Sequence, residues 1–385
     1  MTEWKEYKFS DFIDINPLVR IPKNIPISFV EMKDLDPSMR YCESSQLKLL
    51  SGGSRFINGD TLFARITPCL ENGKICQVRN LQNNIGFGST EFHVLRGKEG
   101  VSDTNFVYYL SRWNEVRDHA EHNMEGSSGR QRVPKEAFDT LYLPLPPLPE
   151  QIRIASILSS LDDKIDLLHR ENKTLEDMAE TLFRQWFIEE AKEDWKEKPL
   201  SFYGKIVCGK TPPKKESKYF GGETPFIKIP DMHNKTFVIN SEDSLTKEGV
   251  LYQKEKILPP FSIIVSCIAT VGLVVLNAKE AQTNQQINSI IPYEEEYRYF
   301  LYLHLMNMYD DLNAMASGGT ATLNLNTTNF SKIKIAYPTD DVLCAFNKQV
   351  SLLFDKIYNN QQQIQTLIQQ RDGLLPKLMS NEIKL

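Results

Sequence analysis

Residues 204–211 read GKIVCGKT and fit the phosphate-binding pattern G-x-x-x-x-G-K-[ST] without a mismatch. That chemistry needs a buried strand before the loop and a helix after it, so that backbone N–H groups and the helix N-terminus cradle phosphate oxygens. The neighbours are wrong for it. Thr211 is followed by Pro212 and Pro213, which disfavour helix, and then by Gly221-Gly222. No apolar strand ending in Asp or Glu stands where it would hold magnesium. Other catalytic signatures are missing or weak. There is no [DNS]-P-P-[YFW] tetrapeptide for amino-group methylation, no G-x-S-x-G elbow and no H-E-x-x-H helix. GFGSTEF at 86–92 is a poor glycine signal for a methyl donor, and Pro230-Asp231 lacks the E-x-K strand of a metal-dependent nuclease. The six cysteines are scattered without a C-x-x-C pair, which suits reduced thiols. His119 and His122 lie one helical turn apart and read as a solvated helix face, so no metal site is expected.

Nucleic-acid recognition suits the residue types better. EGSSGRQRVPKEAF at 125–138 sets Arg130, Gln131 and Arg132 beside glycines and serines, on a flexible loop with donors for base edges and phosphates. ASGGTATLNLNTTNF at 316–330 has the same small polar character, with Asn324 and Asn326. TNQQIN at 283–288 and ARITPCLENGK at 64–74 add amide and basic side chains. Taken singly, each of these stretches reads more readily as a solvated surface loop.

The elements that would position these loops are repeated. EWKE at 3–6 returns as DWKE at 194–197, and FVYYL at 106–110 returns as YFLYL at 299–303. FDTLYLPLP at 138–146 and LDDKID at 161–166 return 192 residues later as FSKIKIAYP and LFDKIY. Each half therefore reads as a globular part followed by a long helix. The first helix follows the stop LPLPPLPEQ and carries a seam at Leu158, Leu161, Ile165, Leu168, Asn172 and Leu175. The second repeats it at Val350, Leu353, Ile357, Asn360, Ile364 and Leu367. The alternating spacing of 4 and 3 is a heptad pattern. At about 1.5 Å per residue such helices reach roughly 45–55 Å. Packing on each other, antiparallel or parallel, is the economical way to bury both seams. The two asparagines suit a register device or, equally, a frayed or wet place in the seam. Gly373 and Pro376 are expected to fray or end the second helix. In the globular parts, strand signals at 59–66 and 261–276 alternate with turn signals in SGGSRFINGD and YFGGETP, and helices are expected near 103–122 and 294–313. The expected fold is α+β: globular domains at 1–146 and 193–340, a central helix at 147–192 and a distal helix at 341–385.

Bulk properties agree with an ordinary globular chain. It has 385 residues, 41 % hydrophobic and 25 % charged, with net charge −5. No run of 18 apolar residues predicts a membrane span, and the N-terminus lacks a signal core, so a cytoplasmic location is expected. Residues 147–194 hold 6 basic and 12 acidic side chains, so most of the acidic excess sits there and the globular parts are balanced. Charge thus permits DNA binding without requiring it.

Together these features resemble the DNA-specificity subunit of type I restriction–modification systems, over essentially the whole chain. The strongest likeness is LPLPPLPEQIRIASILSSLDDKIDLLHRENKTLEDMAETLFRQWF at 143–187, followed by RDGLLPKLMSNEIKL at the C-terminus. GKTPPKKESKYFGGETPFIKIPDM at 209–232 resembles the opening of a target-recognition domain, which accounts for the phosphate-loop match. GDTLFARITPCLENGKI resembles another recurring segment of such domains. The resemblance implies two recognition domains spaced by an antiparallel coiled coil, each reading half of a bipartite site in double-stranded DNA. It implies two methyltransferase subunits and nuclease-translocase subunits as partners, with S-adenosylmethionine, ATP and magnesium serving those partners and no cofactor on this chain. The contact residues it suggests are Arg65, Lys74, Arg130, Gln131 and Arg132 in the first domain. In the second they are Lys210, Lys228, Asn284, Gln285, Thr322 and Asn324. KIAYPTDDVLCAF departs from the first copy's PLPPLPEQIRI, so the second helix begins differently. A methyltransferase-only or other phage-defence complex, and an NTPase using 204–211, stay as alternatives.

Overall fold

The computed structural model describes residues 4–22, 24–317 and 323–385. The chain forms two compact units, residues 1–168 with 364–385 and residues 169–363. This cut differs from the four expected segments, because each unit takes a globular part and a portion of both long helices.

The repeat is visible in the sheets. In the first unit a five-stranded sheet runs in the order Ile13–Ile15, Phe92–Gly97, Thr61–Ala64, Ile75–Val78 and Tyr41–Cys42. In the second the order is Gly204–Cys208, Ile287–Pro292, Ile263–Ile268, Thr270–Asn277 and Phe237–Val238. In both, the last strand alone pairs in parallel. The EWKE and DWKE repeats also have a physical basis. Lys5–Lys8 pairs with Tyr142–Leu145, and Lys196–Pro199 pairs with Lys334–Tyr337, closing each globular part just before its long helix.

Several sequence expectations are corrected. The run 261–276 is a hairpin, Ile263–Ile268 and Thr270–Asn277, turning at Ala269 with φ 66°. SGGSRFINGD contains the strand Ser54–Ile57, anchored by fully buried Phe56. YFGGETP opens the strand Phe220–Ile227, its glycines forming a bulge where Gly221 takes φ 83°. The helix expected at 103–122 breaks at Trp113, and the one at 294–313 breaks at Met308.

The long helices span Leu148–Arg184 and Asp340–Met379. Within the first unit they run antiparallel. Ile154 and Leu158 share a core with Leu375 and Leu378, Asp162 meets Arg371, and Ile165 and Leu168 pack on Ile364. Within the second unit they are antiparallel too, since Asn172 meets Asn360 and Phe183 meets Phe346. The buried stripe is wider than the expected seam. Leu161, Leu175, Leu353 and Leu367 are half-buried, while the neighbours Asp162 and Phe354 are buried. Each helix uses its second flank against a globular part, so three positions per heptad are covered rather than two.

The second helix also runs through Gly373 and Pro376. Leu375, Leu378 and Met379 are buried in the first unit's core, and that packing outweighs the hydrogen bond lost at one proline near the helix end. The first helix begins differently. Buried Gln151 accepts from the Asp103 N–H at 2.9 Å and donates to the carbonyls of Val101 and Pro146. In the second copy, the residue 192 positions on is fully buried Leu343, so an apolar anchor replaces a polar one.

Candidate nucleic-acid interface

A junction of three backbone segments recurs at the end of the central strand in each unit. In the first, the Arg65 N–H donates to the Glu91 carbonyl at 3.0 Å, and the Val133 N–H donates to the Arg65 carbonyl at 2.8 Å. In the second, the Cys267 N–H donates to Gln286 and the Leu325 N–H donates to Cys267, both at 2.8 Å. Paired side chains complete the match. His93 Nε2 lies 2.8 Å from the Val133 carbonyl, and Asn288 Nδ2 donates to the Leu325 carbonyl at 3.3 Å. Ser89 Oγ accepts from the Glu91 N–H, as Asn284 Oδ1 accepts from the Gln286 N–H, each at 3.1 Å. Isolated bridges Ile66–Arg132 and Ile268–Asn324 close both junctions. Thus STEFH at 89–93 and NQQIN at 284–288 are one structural segment with different side chains.

In the first unit the loop carrying Arg130, Gln131 and Arg132 is pinned at its base. Glu125 and Arg132 exchange two backbone bonds of 2.8 and 2.9 Å, and the Gln131 carbonyl accepts from the Thr67 N–H and Oγ1. Arg130 is exposed. Arg132 meets Glu91 side-on: Nε reaches Oε2 at 2.9 Å and Nη2 reaches Oε1 at 2.8 Å. The hydrogen bonds from Arg132, with the charges of Arg132 and Arg65, hold the Glu91 carboxyl below its usual range. Arg65 is half-buried, and its Nε is buried without a hydrogen-bond partner. Lys74 instead spends its ammonium on the Met32 carbonyl at 2.7 Å, a bond within the fold.

In the second unit Lys228, Asn284 and Gln285 line one cavity of about 440 Å³ together with Thr211, Lys214 and Gln286. Lys228 is paired with Asp243. Asn284 is 8 % exposed and donates to Gln286 Oε1 at 3.0 Å, so its amide is committed to positioning Gln286. Gln285 is exposed and accepts from Thr211 Oγ1 at 2.7 Å. Asn324 is exposed, and Thr322 lies outside the described residues. A larger cavity of about 560 Å³ lies among Lys173, Glu176, Tyr302 and Phe354, and none of these groups lines it.

The GKIVCGKT segment is explained by packing. Gly204–Cys208 is itself a strand, and residues 211–216 form coil and turn where a phosphate loop requires a helix. Gly209 is needed for close approach, since a Cβ there would lie 2.1 Å from the Asn284 carbonyl oxygen. Lys210 donates its N–H to the Thr283 carbonyl, and its side chain is exposed. Pro230-Asp231 is structural too: the Asp231 carboxylate accepts from the N–H groups of Lys228 and Glu242, each at 2.9 Å. His119 and His122 bond to different backbone carbonyls, and no metal-holding group of acidic, histidine or cysteine side chains occurs among the described residues.

Sequence reading does not single out Glu91 or Ser89, and it takes Gln286 only as part of TNQQIN. The signal that could have found them is the alignment of STEFH with NQQIN, which the backbone equivalence makes plain.

Comparison with known proteins agrees with this duplicated architecture. Residues 1–177 and 192–373 match the family described as type I restriction modification DNA specificity domain. The HindI specificity subunit of Haemophilus influenzae, a type I restriction enzyme component, is 35% identical over the full length of both chains. The MjaIX specificity subunit of Methanocaldococcus jannaschii is 26% identical over 75% of this chain and 71% of its own. The crystal structure of a type I restriction–modification S subunit from M. genitalium shares the fold, with a TM-score of 0.55 at 18% identity, over 98% of this chain and 96% of that one. The paired junctions and the doubled family match lead to one conclusion: this chain belongs to the type I restriction modification DNA specificity family.

Proposed function

We propose that this chain is the noncatalytic DNA-specificity subunit of a type I restriction–modification complex, each unit reading one half of a bipartite site. The observation that carries this reading is the repeated junction: one backbone frame presented twice, with Arg65, Glu91 and Arg132 in one copy and Cys267, Gln286 and Asn324 in the other. Such a frame gives each half-site its own chemistry without changing the scaffold. Methyltransferase subunits supply adenine-N6 methylation on a flipped base, and nuclease-translocase subunits supply cleavage. S-adenosylmethionine, ATP and magnesium belong to those partners. No helix among the described residues is long and apolar enough to cross a membrane.

The test is co-expression with the cognate methyltransferase subunit, followed by modified-base sequencing of host DNA. The expected result is N6-methyladenine confined to a split motif whose two specified blocks lie about one helical turn apart. A continuous motif, or methylation that does not depend on this chain, would overturn the reading.

A further inference from the structure

We propose that Arg132, held in place by Glu91, reads a guanine in the half-site served by the first unit. Arg132 is the specificity-determining residue and Glu91 its positioning residue; the inference rests on the function proposed above.

The donor count supports this. A guanidinium carries five N–H groups. Glu91 takes the Nε–H and one on Nη2, and the Arg130 carbonyl lies 3.3 Å from Nη1. One N–H on each terminal nitrogen stays available. A guanine edge offers two adjacent acceptors, O6 and N7, for N–H groups on the two terminal nitrogens. The Arg132 side chain is 44% exposed and stands at the base of a loop pinned by backbone bonds, so it is both reachable and fixed.

The second copy shows that the ion pair is not required to build the junction. There Asn324 and Gln286 occupy the equivalent positions, and the same backbone bonds form without charge. Closing the fold therefore does not account for an arginine and a glutamate at these places. Arg65, beside Glu91, adds positive charge where Cys267 adds none, so this copy favours an electronegative base edge.

Phosphate binding is the competing role for Arg132, and lysine separates the two. A lysine keeps the point charge that a phosphate needs but loses the planar fork that matches guanine. The experiment compares host-DNA methylation by the complex carrying Arg132→Lys, Glu91→Gln, or Glu91→Gln with Arg132→Asn. The double variant installs the second copy's own side chains, a combination that the equivalent backbone junction of the second unit carries. If the wild-type complex yields no split motif, the proposed function fails. Given a split motif, Arg132→Lys and the double variant are expected to make one guanine degenerate, its preference falling about 5- to 150-fold. Glu91→Gln should loosen the same position less, and the other half should keep its bases. The proposal is overturned if Arg132→Lys leaves the motif unchanged, if the loosened position is not a guanine, or if both halves relax. It is also overturned if the double variant assembles with its partner yet methylates nothing.

Discussion

His93 and Asn288 hold the same place in the two copies, and their difference has a consequence in acid. His93 is buried between the Val133 carbonyl and Asn16 Nδ2, which donates toward Nδ1, so the neutral ring carries its proton on Nε2. Burial lowers its pKa from 6.5 to about 4. The unfolded chain thus binds the extra proton first. The stability contributed by the neutral ring is full above about pH 6.5 and is lost as pH falls toward 4. His93→Asn should preserve the bond to Val133, as Asn288 does to Leu325, and abolish that loss. Between pH 7 and 5 the variant is expected to lose on the order of 2 kcal/mol less stability than the parent. Denaturant titrations at both values check this, and equal losses would remove His93 from the account. Residues of this kind were hard to read in sequence. Arg130, Gln131 and Arg132 stood out by composition, but Glu91 lay inside GFGSTEF, where only the glycines drew a reading. Asn284 and Lys74 looked like readers of DNA because a side chain's type does not reveal which backbone group has already claimed it.

At the scale of elements the long helices were the most legible feature, since a 4–3 alternation survives any change of surface residue. Their terminus and flank were not. Gly373 and Pro376 argue against helix locally, whereas the burial of Leu375, Leu378 and Met379 argues for it across the fold. Periodicity also cannot tell a seam shared with one helix from a stripe shared with a helix and a sheet, which is why Asp162 was missed beside Leu161. Asp162 is the polar centre of the first unit's helix pair. It accepts from Arg371 Nη1 at 2.7 Å and from the Tyr109 hydroxyl at 2.7 Å, with both charged side chains nearly inaccessible. Removing the arginine leaves a buried carboxylate without its countercharge, held only by the Tyr109 hydroxyl. Arg371→Ala is therefore expected to cost about 3–5 kcal/mol, and Asp162→Asn with Arg371→Met to cost less than Arg371→Ala alone. If denaturation midpoints place the double variant below the single one, the desolvated charge is not the controlling factor.

On the scale of the whole molecule, the chain's two ends depend on each other although sequence reading assigned them to separate segments. The last 22 residues belong to the first compact unit. Leu375, Leu378 and Met379 lie in the same core as Phe9, Phe63 and Phe106, and Arg371 neutralises Asp162. Burial of three such side chains contributes roughly 1.5–3 kcal/mol each. Unpairing Asp162 adds about 3–5 kcal/mol. The sum is comparable with the whole stability of a typical domain, about 5–15 kcal/mol. A chain ending at residue 363 should therefore lose protection in strands 61–64 and 92–97, even though every residue of residues 1–146 is present. The second unit keeps Phe346, Val350, Phe354 and Ile357 in its core and should be nearly unaffected. Hydrogen exchange followed by mass spectrometry resolves the two units peptide by peptide. Unchanged protection in 61–64 and 92–97 would mean that residues 1–168 stand on their own core. Loss of protection in 263–268 as well would mean that the two units do not unfold separately.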